Sequence, residues 1–140
     1  DLATMAPARL PATFLDAYGA AAGGRTVSSR RWLGGPPDGA RPVPWPLRAT
    51  DVDLLGHVNN AAYWAAVEEE LAAGEGGHPL LARPHRAVME YGAAIEPDAA
   101  VELRVASAAD AVSVWFTVAG AVHAAATVVA LPPAAALSPG

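Results

Sequence analysis

The chain has 140 residues, enough for one domain with a hydrophobic core and too few for two ordinary ones. Its formal net charge of -5 and pI near 5.2 argue against a nucleic-acid binder, which needs a concentrated basic face. Cysteine is absent, so disulfides, thiolate metal sites and a cysteine nucleophile are excluded, and any chemistry rests on oxygen and nitrogen groups. Hydrophobic residues reach 53%, but much of that is alanine; such a small core predicts further burial against a partner, either a second copy or a second half. No apolar run approaches the roughly 18 to 20 residues that span a bilayer, and the N-terminus lacks a signal-peptide plan, so the expected location is cytoplasmic.

Residues 1–42 are rich in Ala, Gly, Pro and Arg and read as a linker-like segment. One helix is predicted within it, from Pro11 to Ala22, with Phe14, Leu15 and Tyr18 at helical spacing and Gly23-Gly24 as its end. Arg25, Arg30 and Arg31 read as part of a solvated linker, with docking of an acidic carrier protein as the alternative. Trp32-Leu33 follows as an apolar anchor before a Gly- and Pro-rich loop. Pro42, Pro44 and Pro46 alternate with Val43, Trp45 and Leu47, a pattern compatible with an edge strand or a polyproline-like extension.

A helix is predicted from Asn59 or Asn60 to Ala73, opened by a good N-cap residue, packed through Tyr63, Val67 and Leu71 with Ala66 beside them, and stopped at Gly74. Four strands are expected after it, over His85–Ala94, Ala100–Ala106, Ala111–Ala119 and Val122–Leu131. The short breaks at Glu96-Pro97-Asp98, Ala108-Ala109-Asp110 and Gly120-Ala121 predict that all four form an antiparallel meander. The order of strand, helix and four strands gives an α+β domain over 43–133 in which a curved sheet wraps one long helix, the hotdog arrangement, with a flat α+β sheet as the alternative; residues 134–140 read as a flexible tail.

The segment from Arg48 to Tyr63 concentrates Asp51, Asp53, His57, Asn59 and Asn60 in one turn ahead of the helix. These are groups that orient water, move protons and donate to developing charge, next to the free N–H groups of a helix start. Asp51 can also simply hydrogen-bond the turn, and Asn59 or Asn60 can serve as the cap. His78, His85 and His123 lack the close His or carboxylate spacing of a metal site, so no metal or cofactor is expected.

Asp51-Val52-Asp53, Gly56-His57-Val58-Asn59-Asn60 and Tyr63 resemble the Asp-x-Asp-x-x-x-His-Val-Asn-Asn-x-x-Tyr signature of the acyl-acyl carrier protein thioesterases, and more loosely the Asp-x-Asp-x-x-Gly-His motif of the hydroxybenzoyl-coenzyme A thioesterases. Val88-Met89-Glu90-Tyr91 looks like the strand after the helix in that family. The resemblance is to the C-terminal of two hotdog halves. It implies hydrolysis of fatty acyl thioesters carried on acyl carrier protein or coenzyme A, a role in fatty acid biosynthesis, and a homodimer or pairing with a second hotdog half. It also implies that Asp53 and His57 are catalytic, Asp53 attacking directly or activating water and His57 stabilising the oxyanion.

The family's asparagine, glutamate and frequent cysteine are replaced here by Leu55, Ala94 and Ile95. Glu69 stands where a glutamate recurs in the superfamily and is the candidate replacement for the downstream carboxylate. Asn59, Asn60, Tyr63 and Trp64 are the candidate substrate-binding residues. The apolar replacements also leave room for a module that binds an acyl group or a carrier without turnover.

Overall fold

The computed structural model describes residues 9–23, 25 and 33–132 and divides the chain into two units, Asp1–Arg30 and Arg31–Gly140. In the first, helix α1 (Ala12–Ala22) follows Pro11 and ends at Gly23, whose φ of 58° allows its N–H to reach the Ala20 carbonyl. Phe14 and Tyr18 meet one turn apart with ring centroids at 4.7 Å and planes tilted by 42°, and no α1 residue is buried. Trp32, Arg30, Arg31 and the tail expected over 134–140 lie outside the described residues.

The second unit is one antiparallel sheet packed on one helix. Its strands are β1 (Arg41–Trp45), β2 (His85–Tyr91), β3 (Val101–Ala108), β4 (Ala111–Val118) and β5 (Ala121–Ala130), in the spatial order β1-β3-β4-β5-β2. The sheet therefore starts at Arg41, slightly before the boundary expected at 43. β1 is an edge strand, so alternate N–H groups point away from the sheet and Pro42 and Pro44 cost it no ladder bond.

One connection departs from the expected meander. Only β3, β4 and β5 are consecutive neighbours; β2 pairs with β5, from His85↔Ala130 to Tyr91↔Ala124, and forms the opposite edge. Glu96-Pro97-Asp98 belongs to a longer crossover, and Ile95 within it is 1% exposed. A residue so deeply buried anchors the connection to the core, which a hairpin tip would not do.

Helix α2 (Asn60–Ala72) buries Ala62, Tyr63, Ala66, Val67 and Leu71, a stripe at the helical period. The facing side of the sheet presents Leu103, Val105, Val112, Val114, Phe116, Ala124, Ala126 and Val128. The register sets large against small across β4 and β5, with Phe116 opposite Ala124 and Val114 opposite Ala126. Phe116 meets Tyr63 at 4.9 Å and Trp45 at 5.1 Å, so an aromatic cluster fills the space that alanines leave open. A register shift between Phe116 and Thr117 bends β4 against β5. Trp115, on the other face, is also buried; its indole N–H donates to the Gly34 carbonyl at 2.6 Å, while the Leu33 N–H donates to Glu90 Oε2 at 3.0 Å. Residues 33–34 thus cover part of the outer face.

Between β1 and α2 the chain is tied by Asp51. Its carboxylate is 3% exposed and accepts from the Arg48 N–H at 2.8 Å and from Arg48 Nη2 at 2.9 Å. Its carbonyl accepts from the Asn59 N–H at 2.8 Å and from Asn59 Nδ2 at 3.0 Å. Asn59 Oδ1 then caps α2 by accepting from the Ala62 N–H at 3.0 Å.

The hydrogen bonds from Arg48 hold the Asp51 carboxyl below its ordinary range against the opposing effect of burial. A folded pKa below the unfolded value of about 3.9 stabilises the fold fully above that value and ceases to do so as pH falls through the lower folded pKa. Asp51→Ala is therefore expected to lose about 2 kcal/mol at neutral pH, because the Arg48 N–H and guanidinium lose the charged acceptor of their partly buried hydrogen bonds. Urea titrations at pH 7 and pH 3 should show the gap to wild type narrowing at the lower pH; an equal gap would remove the carboxylate from this role. Asn59→Ala should cost about 1 kcal/mol in the same assay through loss of the cap.

Candidate active site

The turn ahead of α2 is a closed hairpin. Val52 and Val58 form a β-bridge, the Asp53 N–H donates to the His57 carbonyl at 2.9 Å, and the Gly56 N–H donates to the Asp53 carbonyl at 3.0 Å. Gly56 has φ 80°, a left-handed conformation that glycine adopts without strain. The geometry sets Asp53 and His57 on opposite arms of one short turn. Asp53 Oδ1 accepts from the Leu55 N–H at 2.8 Å and from the His57 N–H at 3.4 Å, which orients the carboxylate. Among the described residues Oδ2 has no hydrogen-bond partner.

Asp53, Leu55, His57, Val58, Asn60 and Tyr63 form one side of a cleft of about 470 Å³. Its other side is the end of β2 and the start of the crossover, Tyr91, Gly92, Ala93 and Ala94. The cleft is thus lined by Tyr63, one member of the aromatic cluster, and by polar groups at the start of α2. The N–H groups of Asn60 and Ala61 have no acceptor within the helix and carry the positive end of its dipole. Burial, with a smaller contribution from Tyr91, pushes the Tyr63 phenol up to about 12, and burial also raises Tyr91. Both hydroxyls are therefore neutral donors at physiological pH. The Tyr91 hydroxyl donates to the Asn60 carbonyl at 3.4 Å and is reached by the Trp64 side chain.

The structure brings Asp53, His57, Asn60 and Tyr63 to this cleft and leaves three other expected residues out of it. The amide of Asn59 is occupied by the helix cap and the Asp51 carbonyl, so its polar atoms serve the fold and do not face a substrate. Trp64 packs partly buried against the core. Glu69 lies nine residues beyond Asn60 along α2, about 14 Å at the helical rise, and lines a separate groove with Arg48 and Pro44–Leu47. Within one chain it does not meet Asp53 or His57.

One charged neighbour of the site lies in a segment that looked like a simple turn: Glu96 Oε1 stands 3.6 Å from His57 Nε2. The signal available in the sequence was Ile95, a lone branched apolar residue in a polar connection, which marks an anchored loop. Among the described residues no group of three or more His, Asp or Glu side chains could hold a metal ion, and no helix is long and apolar enough to cross a membrane.

Residues 39–122 match the family model of the acyl-ACP thioesterase C-terminal domain. An uncharacterized protein of Mycobacterium tuberculosis, Rv2001, is 36% identical over 123 residues, which cover 88% of this chain and 48% of that protein. The chain thus spans about half the length of this curated relative. Among solved structures, the 12:0-ACP thioesterase from Umbellularia californica superposes with a TM-score of 0.62 at 18% identity, covering 89% of this chain and 50% of that one. An acyl-ACP thioesterase from Bacteroides thetaiotaomicron gives 0.54 at 16% identity, with coverages of 74% and 42%. These likenesses show the hotdog fold, and from the matched family model the chain belongs to the acyl-ACP thioesterase family, on the side of its C-terminal domain.

Proposed function

We propose that the cleft hydrolyses fatty acyl thioesters, with acyl carrier protein as the thiol carrier. The observation that carries this reading is the meeting of Asp53 and His57 in one cleft at the start of α2. A carboxylate with one oxygen fixed by two N–H groups presents the other in a defined direction. Asp53 Oδ2 then acts as general base: it takes a proton from water as the water oxygen bonds to the thioester carbon. The N–H groups of Asn60 and Ala61, with His57, face the charge that develops on the carbonyl oxygen. When the carbon–sulfur bond breaks, the thiolate recovers the proton, leaving a free acid and a free thiol. Neither metal nor cofactor enters these steps.

The cleft has an open side. β2 is a sheet edge, Tyr91 is 44% exposed, and Leu54 and Leu55 project from the turn at 105% and 77% exposure. A second hotdog half, or a second copy of this chain, fits that side and encloses the acyl chain; Glu69 would enter the chemistry only across such a pairing. A second reading, a module that binds acyl thioesters without turnover, is favoured by the apolar lining at Leu55 and Ala94.

Thiol release from a panel of acyl carrier protein and coenzyme A thioesters tests both readings. Asp53→Asn and His57→Ala are each expected to lower kcat by roughly a hundredfold or more with the fold intact. Equal rates for wild type and Asp53→Asn would refute the assignment, and tight binding with no thiol release would favour the second reading. Sedimentation should give an assembly of at least twice the 14.2 kDa chain mass; a monomer with full activity would remove the need for a second half.

A further inference from the structure

We propose that Glu96 is the positioning residue for His57, delivered by the crossover after β2 and locked in place from β5 by His123. The proposal rests on the thioesterase reading of the cleft and adds to it a residue outside the motif turn.

The crossover is held at each step before Glu96. The Gly92 and Ala93 N–H groups both donate to the His123 carbonyl, at 2.7 and 3.0 Å. The His123 ring reaches back to the same loop, its Nδ1 2.8 Å from the Ala94 carbonyl; because a carbonyl only accepts, Nδ1 carries the proton. The Ile95 side chain is 1% exposed, and its carbonyl accepts from the Val58 N–H at 3.0 Å, directly beside His57 in sequence. The Glu96 carbonyl accepts from the Ala99 N–H at 3.1 Å. With the backbone fixed on both sides, the Glu96 carboxylate stands 3.6 Å from His57 Nε2 although its side chain is 64% exposed.

At that separation the contact is too long for a hydrogen bond. Catalytic contacts are often long without substrate and tighten when it binds. A carboxylate facing Nε2 selects the imidazole form with its proton on Nε2, so that the N–H His57 offers to the developing oxyanion sits on one defined nitrogen. The two side chains are exposed enough that the pair adds little to folding. Positioning and stability can therefore be separated.

The test uses the full-length protein and two readouts. In Glu96→Ala, kcat should fall roughly tenfold, less than for a group that itself transfers the proton, with KM within about twofold and Tm unchanged. Independently of turnover, the imidazole ¹⁵N shifts of His57 should be well separated in wild type and move toward one another in Glu96→Ala, as two tautomers interconvert. Asp98→Ala, which removes the neighbouring carboxylate of the same loop, should change neither quantity. Identical ¹⁵N shifts in wild type and Glu96→Ala would overturn the proposal, as would an equal effect from Asp98→Ala. Wild type that releases no thiol from any substrate, yet shows the ¹⁵N change, would refute the thioesterase reading while supporting the pairing of Glu96 with His57.

Discussion

Asp51, with its carboxylate buried, fixes the start of α2 and the hairpin that bears Asp53 and His57. On one side it gathers the backbone and guanidinium of Arg48, which ends the path from β1; on the other, its own carbonyl receives both the N–H and the side-chain amide of Asn59. Asn59 in turn caps α2. The start of the helix and the hairpin bearing Asp53 and His57 are thereby joined to the edge of the sheet by the hydrogen bonds of Asp51 and Asn59. This is why neighbouring residues of similar chemistry divide their tasks: Asp51 and Asn59 are consumed by structure, and Asp53 and Asn60 face the cleft.

The sheet supplies the other half of the constraint. Alanines at 124 and 126 keep β5 low beneath Phe116 and Val114, and the aromatic cluster of Trp45, Tyr63 and Phe116 fills the gap against α2. Tyr63 belongs to both the core and the cleft, so the floor of the site is as rigid as the packing that holds it. The cleft's far wall comes from β2 and its crossover, which pair with β5 and not with β3. His123 on β5 can then act on a loop that the chain order alone would place elsewhere.

Much of this was legible in the sequence where local rules decide. The span of α2 follows from its cap and its stripe at positions 63, 67 and 71, and the three strands β3 to β5 follow from alternation and short turns. The motif turn was recognisable because its polar residues are dense and adjacent. What stayed hidden depends on pairing between distant segments. The placement of β2 is set by an edge of β5 that no local pattern announces. The burial of Trp115 on the outer face depends on Gly34, far away in the chain. Glu69 could be counted as a carboxylate on a helix, but only the rise of that helix shows how far it lies from Asn60. Glu96 carries no motif, and its approach to His57 is the product of a buried isoleucine and a histidine on another strand.

The central claim is that Asp53 activates water for attack on a thioester held at the start of α2. A single turnover in ¹⁸O-labelled water, followed by mass analysis of both the fatty acid and the peptide bearing Asp53, tests it directly. Label in the released acid with none in Asp53 is the expected result. Label in the Asp53 carboxylate would mean direct attack through a covalent intermediate and contradict the water-activating role, and absence of any free fatty acid from folded, substrate-bound protein would contradict hydrolysis itself.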